Sequence, residues 1–272
     1  MKRVIVTGSF DDLRSRQVRF LEEASRLGEV CVLLDSDACV LERTGRPPKF
    51  PQAERVYFTQ AIRYVNEIAL LESRAPQALL DQVRAVRPDR WVVDEASSAE
   101  AAALVRQAGG IEMCVVEEGA LSRFPAVGPD SVANNAARKV IVSGCYDWLH
   151  SGHVRFFEEV SGLGDLYVVV GNDANVEFLK GAGHPLFGQD ERRYMVQSIR
   201  YVQQALISSG WDWLDYAPEV RRIKPDLFAV NEDGDRPEKR QFCREEGIEY
   251  VVLKRTPKEG LLPRESTKLR GF

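Results

Sequence analysis

The sequence predicts an α/β protein built from two successive copies of one unit, each a mostly parallel sheet with helices on both faces. Three observations predict this. The chain matches itself at a near-constant offset, apolar strand-like runs alternate with helical stretches, and a polar segment of small residues separates the two copies.

The self-match begins with Val6-Thr7-Gly8-Ser9-Phe10-Asp11-Asp12-Leu13, which resembles Val142-Ser143-Gly144-Cys145-Tyr146-Asp147-Trp148-Leu149. It continues through Val18-Arg19-Phe20 against Val154-Arg155-Phe156, Glu22-Glu23 against Glu158-Glu159, and Asp37-Ala38 against Asp173-Ala174. Further on, Ile62-Arg63-Tyr64-Val65 repeats as Ile199-Arg200-Tyr201-Val202, and the offset has shifted by only one residue. The chain is therefore read as a tandem duplication. Gly128-Pro129-Asp130-Ser131-Val132-Ala133-Asn134-Asn135 reads as a linker, giving expected domains at residues 1–125 and 138–272 with residues 126–137 between them.

The elements follow in order. Met1-Lys2-Arg3-Val4-Ile5-Val6 reads as a first strand. In the second copy, Lys139-Val140-Ile141-Val142-Ser143 is an apolar run ending in Gly144, as expected of a buried parallel strand. A helix is expected from Val154 to Gly162, with Val154, Phe157 and Val160 at helical spacing. Leu166 to Gly171 is the next strand, Glu191 to Gln204 a helix, Leu227 to Val230 a strand, and Tyr250 to Leu253 a strand preceded by a helix. Ligands of such sheets bind beyond the carboxyl ends of the strands. The segment from Gly144 to His153 stands there.

Composition sets the limits. A length of 272 residues suits two modest domains, and 44% hydrophobic with 29% charged residues is ordinary for a globular chain. The net charge of −4 argues against nonspecific nucleic-acid binding. No apolar run approaches the roughly 20 residues that span a bilayer, so no membrane partner is expected. The N-terminus lacks a secretory layout. Five scattered cysteines without a C-x-x-C pair argue against a disulfide framework or zinc knuckle, and for a cytoplasmic setting. The three histidines, His150, His153 and His184, all lie in the second copy.

Two of these histidines make up His150-Ser151-Gly152-His153. The surrounding run from Gly144 to His153 resembles the signature of the cytidylyltransferase-like nucleotidyltransferases, whose hallmark is H-x-G-H after a strand. The resemblance covers residues 138–272 and, weakened, residues 1–125; it implies two tandem Rossmann-like nucleotidyltransferase domains. The chemistry stands on its own footing. When a phosphate oxygen attacks the α-phosphorus of a nucleoside triphosphate, the nucleophile is already anionic and needs no general base. Catalysis is then alignment and stabilisation of phosphoryl charge. Two imidazoles can donate hydrogen bonds to those oxygens, Gly152 allows close approach, and the following helix offers free amides. No third ligand completes a metal site beside the pair.

The resemblance implies catalytic roles for His150, His153 and Lys180. It implies nucleotide contacts from Gly144, Cys145, Tyr146, Asp147, Gly152, Arg192, Asn231, Ser266 and Thr267, and acceptor contacts from His184, Trp211 and Arg264. Core packing is an equal reading of Trp211 and Trp213, and an internal ion pair an equal reading of Arg200. Arg264-Glu265-Ser266-Thr267-Lys268 resembles the family's second motif imperfectly, because extra residues separate it from Arg255-Thr256 and Gly260. A plain helix cap is the alternative for Ser266.

In the first copy the motif has become Arg14-Ser15-Arg16-Gln17. Residues 1–125 are therefore expected to fold alike without catalysing, acting as a built-in partner in a pseudo-dimer or, through Arg14 and Arg16, as an anion site. A homodimer is a further possibility. The expected activity is transfer of CMP from CTP to a small phosphorylated alcohol or sugar, with Mg²⁺ bridging triphosphate oxygens. The tandem arrangement resembles phospho-alcohol cytidylyltransferases such as the ethanolamine-phosphate type. Adenylyl transfer from ATP to flavin mononucleotide, a sugar phosphate or pantetheine phosphate is the alternative, and a nucleotide sensor without turnover the reading of another class.

Overall fold

The computed structural model describes residues 1–125 and 138–269, the side chains of residues 267 and 268 excepted. The expected linker at residues 126–137 lies outside the described residues. The chain divides into two compact units, Met1–Arg123 and Phe124–Phe272. In the first, β1 (Arg3–Gly8), α1 (Ser15–Ser25), β2 (Glu29–Asp35), α2 (Asp37–Thr44), α3 (Gln52–Ala61) and β3 (Glu67–Leu71) lead to α4 (Pro76–Val86), β4 (Arg90–Asp94), α5 (Ser98–Ala108), β5 (Glu112–Val116) and α6 (Glu118–Leu121). The second runs β6 (Lys139–Gly144), α7 (Ser151–Ser161), β7 (Asp165–Val170), α8 (Asp173–Lys180), α9 (Gln189–Gln197), β8 (Val202–Ile207), α10 (Ala217–Ile223), β9 (Leu227–Asn231), α11 (Pro237–Glu246) and β10 (Glu249–Leu253).

Each unit holds one five-stranded sheet, ordered β3-β2-β1-β4-β5 and β10-β9-β6-β7-β8, which is the same winding twice. Every pairing is parallel. The α/β fold with two Rossmann-like units is thus as expected. The physical basis is burial on both faces. In β1 and β2, Ile5, Cys31 and Leu33 pack with Leu79 and Val83 of α4 and Ala101 and Val105 of α5. The intervening Val4, Val6, Val30 and Val32 are equally buried on the other face. Strands covered twice need continuous apolar runs, which is why they were readable.

The duplication reaches the close contacts. Gly28 and Gly164 follow the first helix of each unit, where a Cβ would stand 2.1 Å from the Lys2 carbonyl and 2.2 Å from that of Arg138. Only glycine lets the chain turn this tightly against the first strand.

Two element expectations are corrected. The helix expected from Glu191 to Gln204 ends at Gln197, and Val202–Ile207 is instead the edge strand β8, paired with β7 from Leu166↔Val202 to Val170↔Ile207. Ile199, Val202, Ala205 and Leu206 are buried at a spacing that also fits a helix. Sheet pairing overrides that local pattern. Arg200-Tyr201 therefore lies in the turn between helix and strand, and Val202 opens β8. The helix expected from Val154 begins three residues earlier, at Ser151, so His150 becomes its N-cap.

Candidate active site

The sheet of the second unit reverses its winding between β6 and β9. In such sheets a crevice opens beyond the carboxyl ends of the strands at this point. An open cleft of about 760 Å³ lies there, and its walls include Gly144, Cys145, Tyr146, Asp147, His150 and Gly152 from the β6–α7 segment. His153, Lys180, Asn231 and Ser266 of the expected set line it as well, and Asp233, Lys239 and Arg255 join them.

His150 caps α7 with extended backbone, and its Nδ1 accepts the Gly152 amide at 3.1 Å. That bond fixes the tautomer: Nδ1 is the acceptor, so a neutral ring carries its proton on Nε2. Nε2 is buried with no partner among the described residues, and the same is true of His153 Nδ1. The two rings lie 4.0 Å apart at 31°, and Tyr146 meets His153 edge-on at 5.4 Å. Burial pushes His150 down to about 3, with the charges of Arg255 and Arg264 acting in the same direction. Burial, then His150, Arg255 and Lys180, holds His153 well below its ordinary value. Both rings are neutral at physiological pH. Each then offers a hydrogen bond without a charge of its own.

Gly152 belongs here for a steric reason. A Cβ would stand 2.9 Å from His150 Cε1 and 3.0 Å from Nδ1, so the ring folds over the helix start only because residue 152 has no side chain.

Cations surround the pair unequally. Arg255 donates to Asp233 Oδ2 at 2.7 Å and to the Arg264 carbonyl at 2.5 Å. Lys180 and Lys239 have no hydrogen-bond or ion-pair partner among the described residues. Ser266 donates to the Trp148 carbonyl at 3.3 Å, which ties the C-terminal segment to the motif. Arg264 lines an adjoining cavity of about 590 Å³ that shares Gly152, Phe156, Asn231 and Arg255 with the cleft. The Thr267 side chain lies outside the described residues.

Four expected contacts come out differently. Arg192 is 1% exposed and does not line the cleft; it donates to the carbonyls of Phe187, Cys145 and Gly171 and to Asp173 Oδ1. Arg55 makes the corresponding bonds in the first unit, to Phe50, Ser9, Asp35 and Asp37. A network shared by a unit without the histidines is scaffold, because the donors are spent on the loops that shape the crevice. Asp147 lines the cleft, but its Oδ1 accepts the amides of Leu186 and Phe187, as Asp11 accepts those of Lys49 and Phe50. His184 places Nδ1 3.4 Å from Asp147 Oδ2, outside the cleft walls. Trp211 is 54% exposed and meets the Phe178 ring at 5.0 Å and a 38° tilt, also outside them.

Sequence reasoning missed Lys239, Arg255 and Asp233. Arg255 carried a signal, standing in the Arg255-Thr256 pair of the second motif. Lys239 carried none, since a lysine near a helix start ordinarily faces solvent.

In the first unit a cleft of about 640 Å³ occupies the corresponding place. Arg16 stands at the Gly152 position and donates to Glu118 at 3.0 and 2.6 Å and to Asp94 at 3.1 Å. Arg14 pairs with Asp12. The anion site expected of Arg14 and Arg16 is therefore corrected: both charges are already met by carboxylates of the same unit.

No helix among the described residues is long and apolar enough to cross a membrane. No group of three histidine, cysteine, aspartate or glutamate side chains among them lies close enough to hold a metal ion.

Comparison with known proteins bears on this site. The Cytidylyltransferase-like family model matches residues 141–263. The FAD synthase of Ferroglobus placidus is 34% identical over 125 residues, covering 45% of this chain and 78% of that protein. The FAD synthase of Aciduliprofundum boonei is 37% identical over 119 residues, covering 43% and 76%. The bifunctional protein HldE of Campylobacter concisus is 35% identical over 95 residues, covering 35% of this chain and 20% of that protein. These relatives overturn the expectation of CMP transfer from CTP, because the similarity runs to proteins named for making FAD, which contains an adenylyl unit. Nor do they carry the finer likeness to ethanolamine-phosphate enzymes. By the family match, by the extent of the relatives covered and by a cleft built on His150-Ser151-Gly152-His153, the chain belongs to the cytidylyltransferase-like nucleotidyltransferases.

Proposed function

We propose that the chain transfers an adenylyl unit from ATP to flavin mononucleotide, releasing pyrophosphate. The FAD synthase relatives support the choice of nucleotide and acceptor. The observation that carries the chemistry is the pair of buried ring nitrogens, His150 Nε2 and His153 Nδ1, left without partners in a cleft rimmed by unpaired lysines. Buried polar atoms are ordinarily satisfied, so an orphaned pair implies an oxygen-bearing ligand.

In the reaction a phosphate oxygen of the acceptor attacks the α-phosphorus of ATP. A new P–O bond forms, and the bond from the α-phosphorus to the bridging oxygen breaks. Its electron pair leaves with pyrophosphate. We assign His150 to donate through Nε2 to a triphosphate oxygen, with Gly152 holding the required tautomer, and His153 to donate beside it. Arg255 supplies a fixed charge steadied by Asp233, and Lys180 a mobile one. Neutral imidazoles suit this task, since they stabilise charge that grows in the transition state without pairing permanently with the ground state. The Ser266 segment and the adjoining cavity walled by Arg264 are assigned to the nucleoside end of ATP. Mg²⁺, when bound, neutralises triphosphate charge.

The test uses the full chain with Mg²⁺, ATP or CTP, and flavin mononucleotide, a sugar phosphate or pantetheine phosphate, following pyrophosphate and the product by chromatography. FAD should form from ATP and flavin mononucleotide. ATP binding without pyrophosphate release from any pair would replace this reading with a sensor.

A further inference from the structure

Lys239 is the residue of the cleft that neither the motif nor the relatives' names explain. It lies in the first turn of α11, lines the cleft and is partly buried. Among the described residues its ammonium has no hydrogen-bond or ion-pair partner. It lies 5.9 Å from the Tyr216 ring, and the charges of Asp215, Arg236 and Asp233 and the Cys243 thiol act on it without a direct bond. Burial lowers its pKa, and Asp215 opposes that shift. Asp215, itself raised by burial, is held by Ser208 and Asn175. A half-buried, unpaired cation is costly unless an anion arrives to meet it.

The duplication supplies a control within the molecule. Gly109 and Gly247 end the corresponding helices α5 and α11, and the residues eight positions before them are Ala101 and Lys239. Ala101 sits in the core of the first unit. The fold therefore does not need a cation here, and it carries one only in the unit with the histidines.

Position separates Lys239 from the triphosphate groups. Phe242 and Cys243 of α11 pack on the sheet face that α10 also covers, with Tyr167 and Val169 beneath them. Helix α7 follows β6 towards β7, whereas α11 follows β9 towards β10, in the opposite direction across the sheet. Right-handed crossovers in opposite directions place their helices on opposite faces. The crevice is thus approached by the histidines from one side and by Lys239 from the other. In-line displacement needs the nucleophile and the leaving group on opposite sides of the α-phosphorus.

We propose that Lys239 binds the phosphate of the acceptor and holds it for attack on the α-phosphorus, facing the histidine pair across the cleft. This rests on the adenylyl-transfer reading above. Lys239→Met keeps the apolar stem over Tyr216 and removes the charge; Lys239→Arg keeps the charge.

The experiment measures KM for flavin mononucleotide and for ATP, and binding of flavin mononucleotide against riboflavin, which lacks the phosphate. Loss of one charge-assisted contact should raise KM for flavin mononucleotide roughly 10- to 100-fold in Lys239→Met and leave KM for ATP within about threefold. Its preference for flavin mononucleotide over riboflavin should vanish while riboflavin affinity holds, and Lys239→Arg should restore most of it. An unchanged KM for flavin mononucleotide, or an equal loss towards ATP or riboflavin, overturns the assignment. Wild-type protein that cannot turn over flavin mononucleotide defeats the adenylyl-transfer reading instead, so the two failures are distinct.

Discussion

Replacing Gly152 by alanine should lower activity far more than it alters stability. A Cβ at this position would stand 2.9 and 3.0 Å from two atoms of the His150 ring, against roughly 3.5–4 Å for a comfortable carbon contact. The ring must withdraw by about half an ångström or more. It cannot swing into solvent, because His150 is 2% exposed and lies 4.0 Å from the His153 ring. Withdrawal weakens the Gly152 amide bond that sets the tautomer and moves Nε2 relative to the phosphates. Misplacement on the scale of 1 Å costs up to about 10²-fold, so kcat/KM should fall roughly 10- to 100-fold. Alanine's better helix propensity, at most about 1 kcal/mol in a helix interior and less in a first turn, is offset by the clash and the weakened cap, so stability should change little. Arg16 at the matching position shows that a side chain there is compatible with the fold. The assay pairs pyrophosphate release with thermal unfolding, and nitrogen NMR of the imidazoles reads the tautomer. Activity within threefold of wild type, or a loss that merely tracks unfolding, would refute the steric argument.

Other outcomes follow from the same geometry. His150 at about 3 when folded, against 6.5 for the free side chain, takes up a proton first in the unfolded chain. Its contribution is therefore complete above about pH 6.5 and is lost as pH falls towards 3, amounting to about 2 kcal/mol at pH 5. His150→Gln should flatten the pH dependence of the urea midpoint by that amount; an unaltered slope would show that the ring is not buried neutral. Arg192→Met leaves three carbonyls and Asp173 unmatched, so it should destabilise the second unit by about 3–5 kcal/mol in urea titrations read by Trp148, Trp211 and Trp213 fluorescence. A shift below about 1 kcal/mol would return Arg192 to the ligand-binding set. His150→Ala combined with His153→Ala in the full chain should abolish turnover, because the first unit meets its arginines with its own carboxylates. Residual turnover at a wild-type rate would assign chemistry to the first unit.

The fold and the motif were legible for different reasons. Parallel strands buried on both faces must be continuous apolar runs, and a duplication writes each run twice, so the alternation of strand and helix could be read without contacts, whereas the strand order could not. The histidine pair was legible because phosphoryl chemistry needs donors at a strand-to-helix turn, and Gly152 stood between them. Arg192, expected at the nucleotide, lies outside the cleft, whereas Asp147 lines it while accepting the Leu186 and Phe187 amides. Both stand in segments that resemble the nucleotidyltransferase pattern and both brace loops of the crevice, and sequence resemblance does not separate a residue that shapes a site from one that touches its ligand. Trp211 and His184 lie on segments whose course depends on packing distant in sequence.

The sequence by itself determined the duplication, the α/β class, the family and the copy that retained the histidines, since each depends on local pattern or repetition. Tertiary structure decided what those residues do. It made His150 a helix cap with a set tautomer, turned Arg200-Tyr201 into the approach to an edge strand, and closed the Arg16 charge against Glu118 and Asp94. It also brought Lys239 to the cleft from a helix 86 residues beyond His153. Charge pairing, burial and the side from which a group approaches arise only when distant segments meet, and nothing local in the chain encodes them.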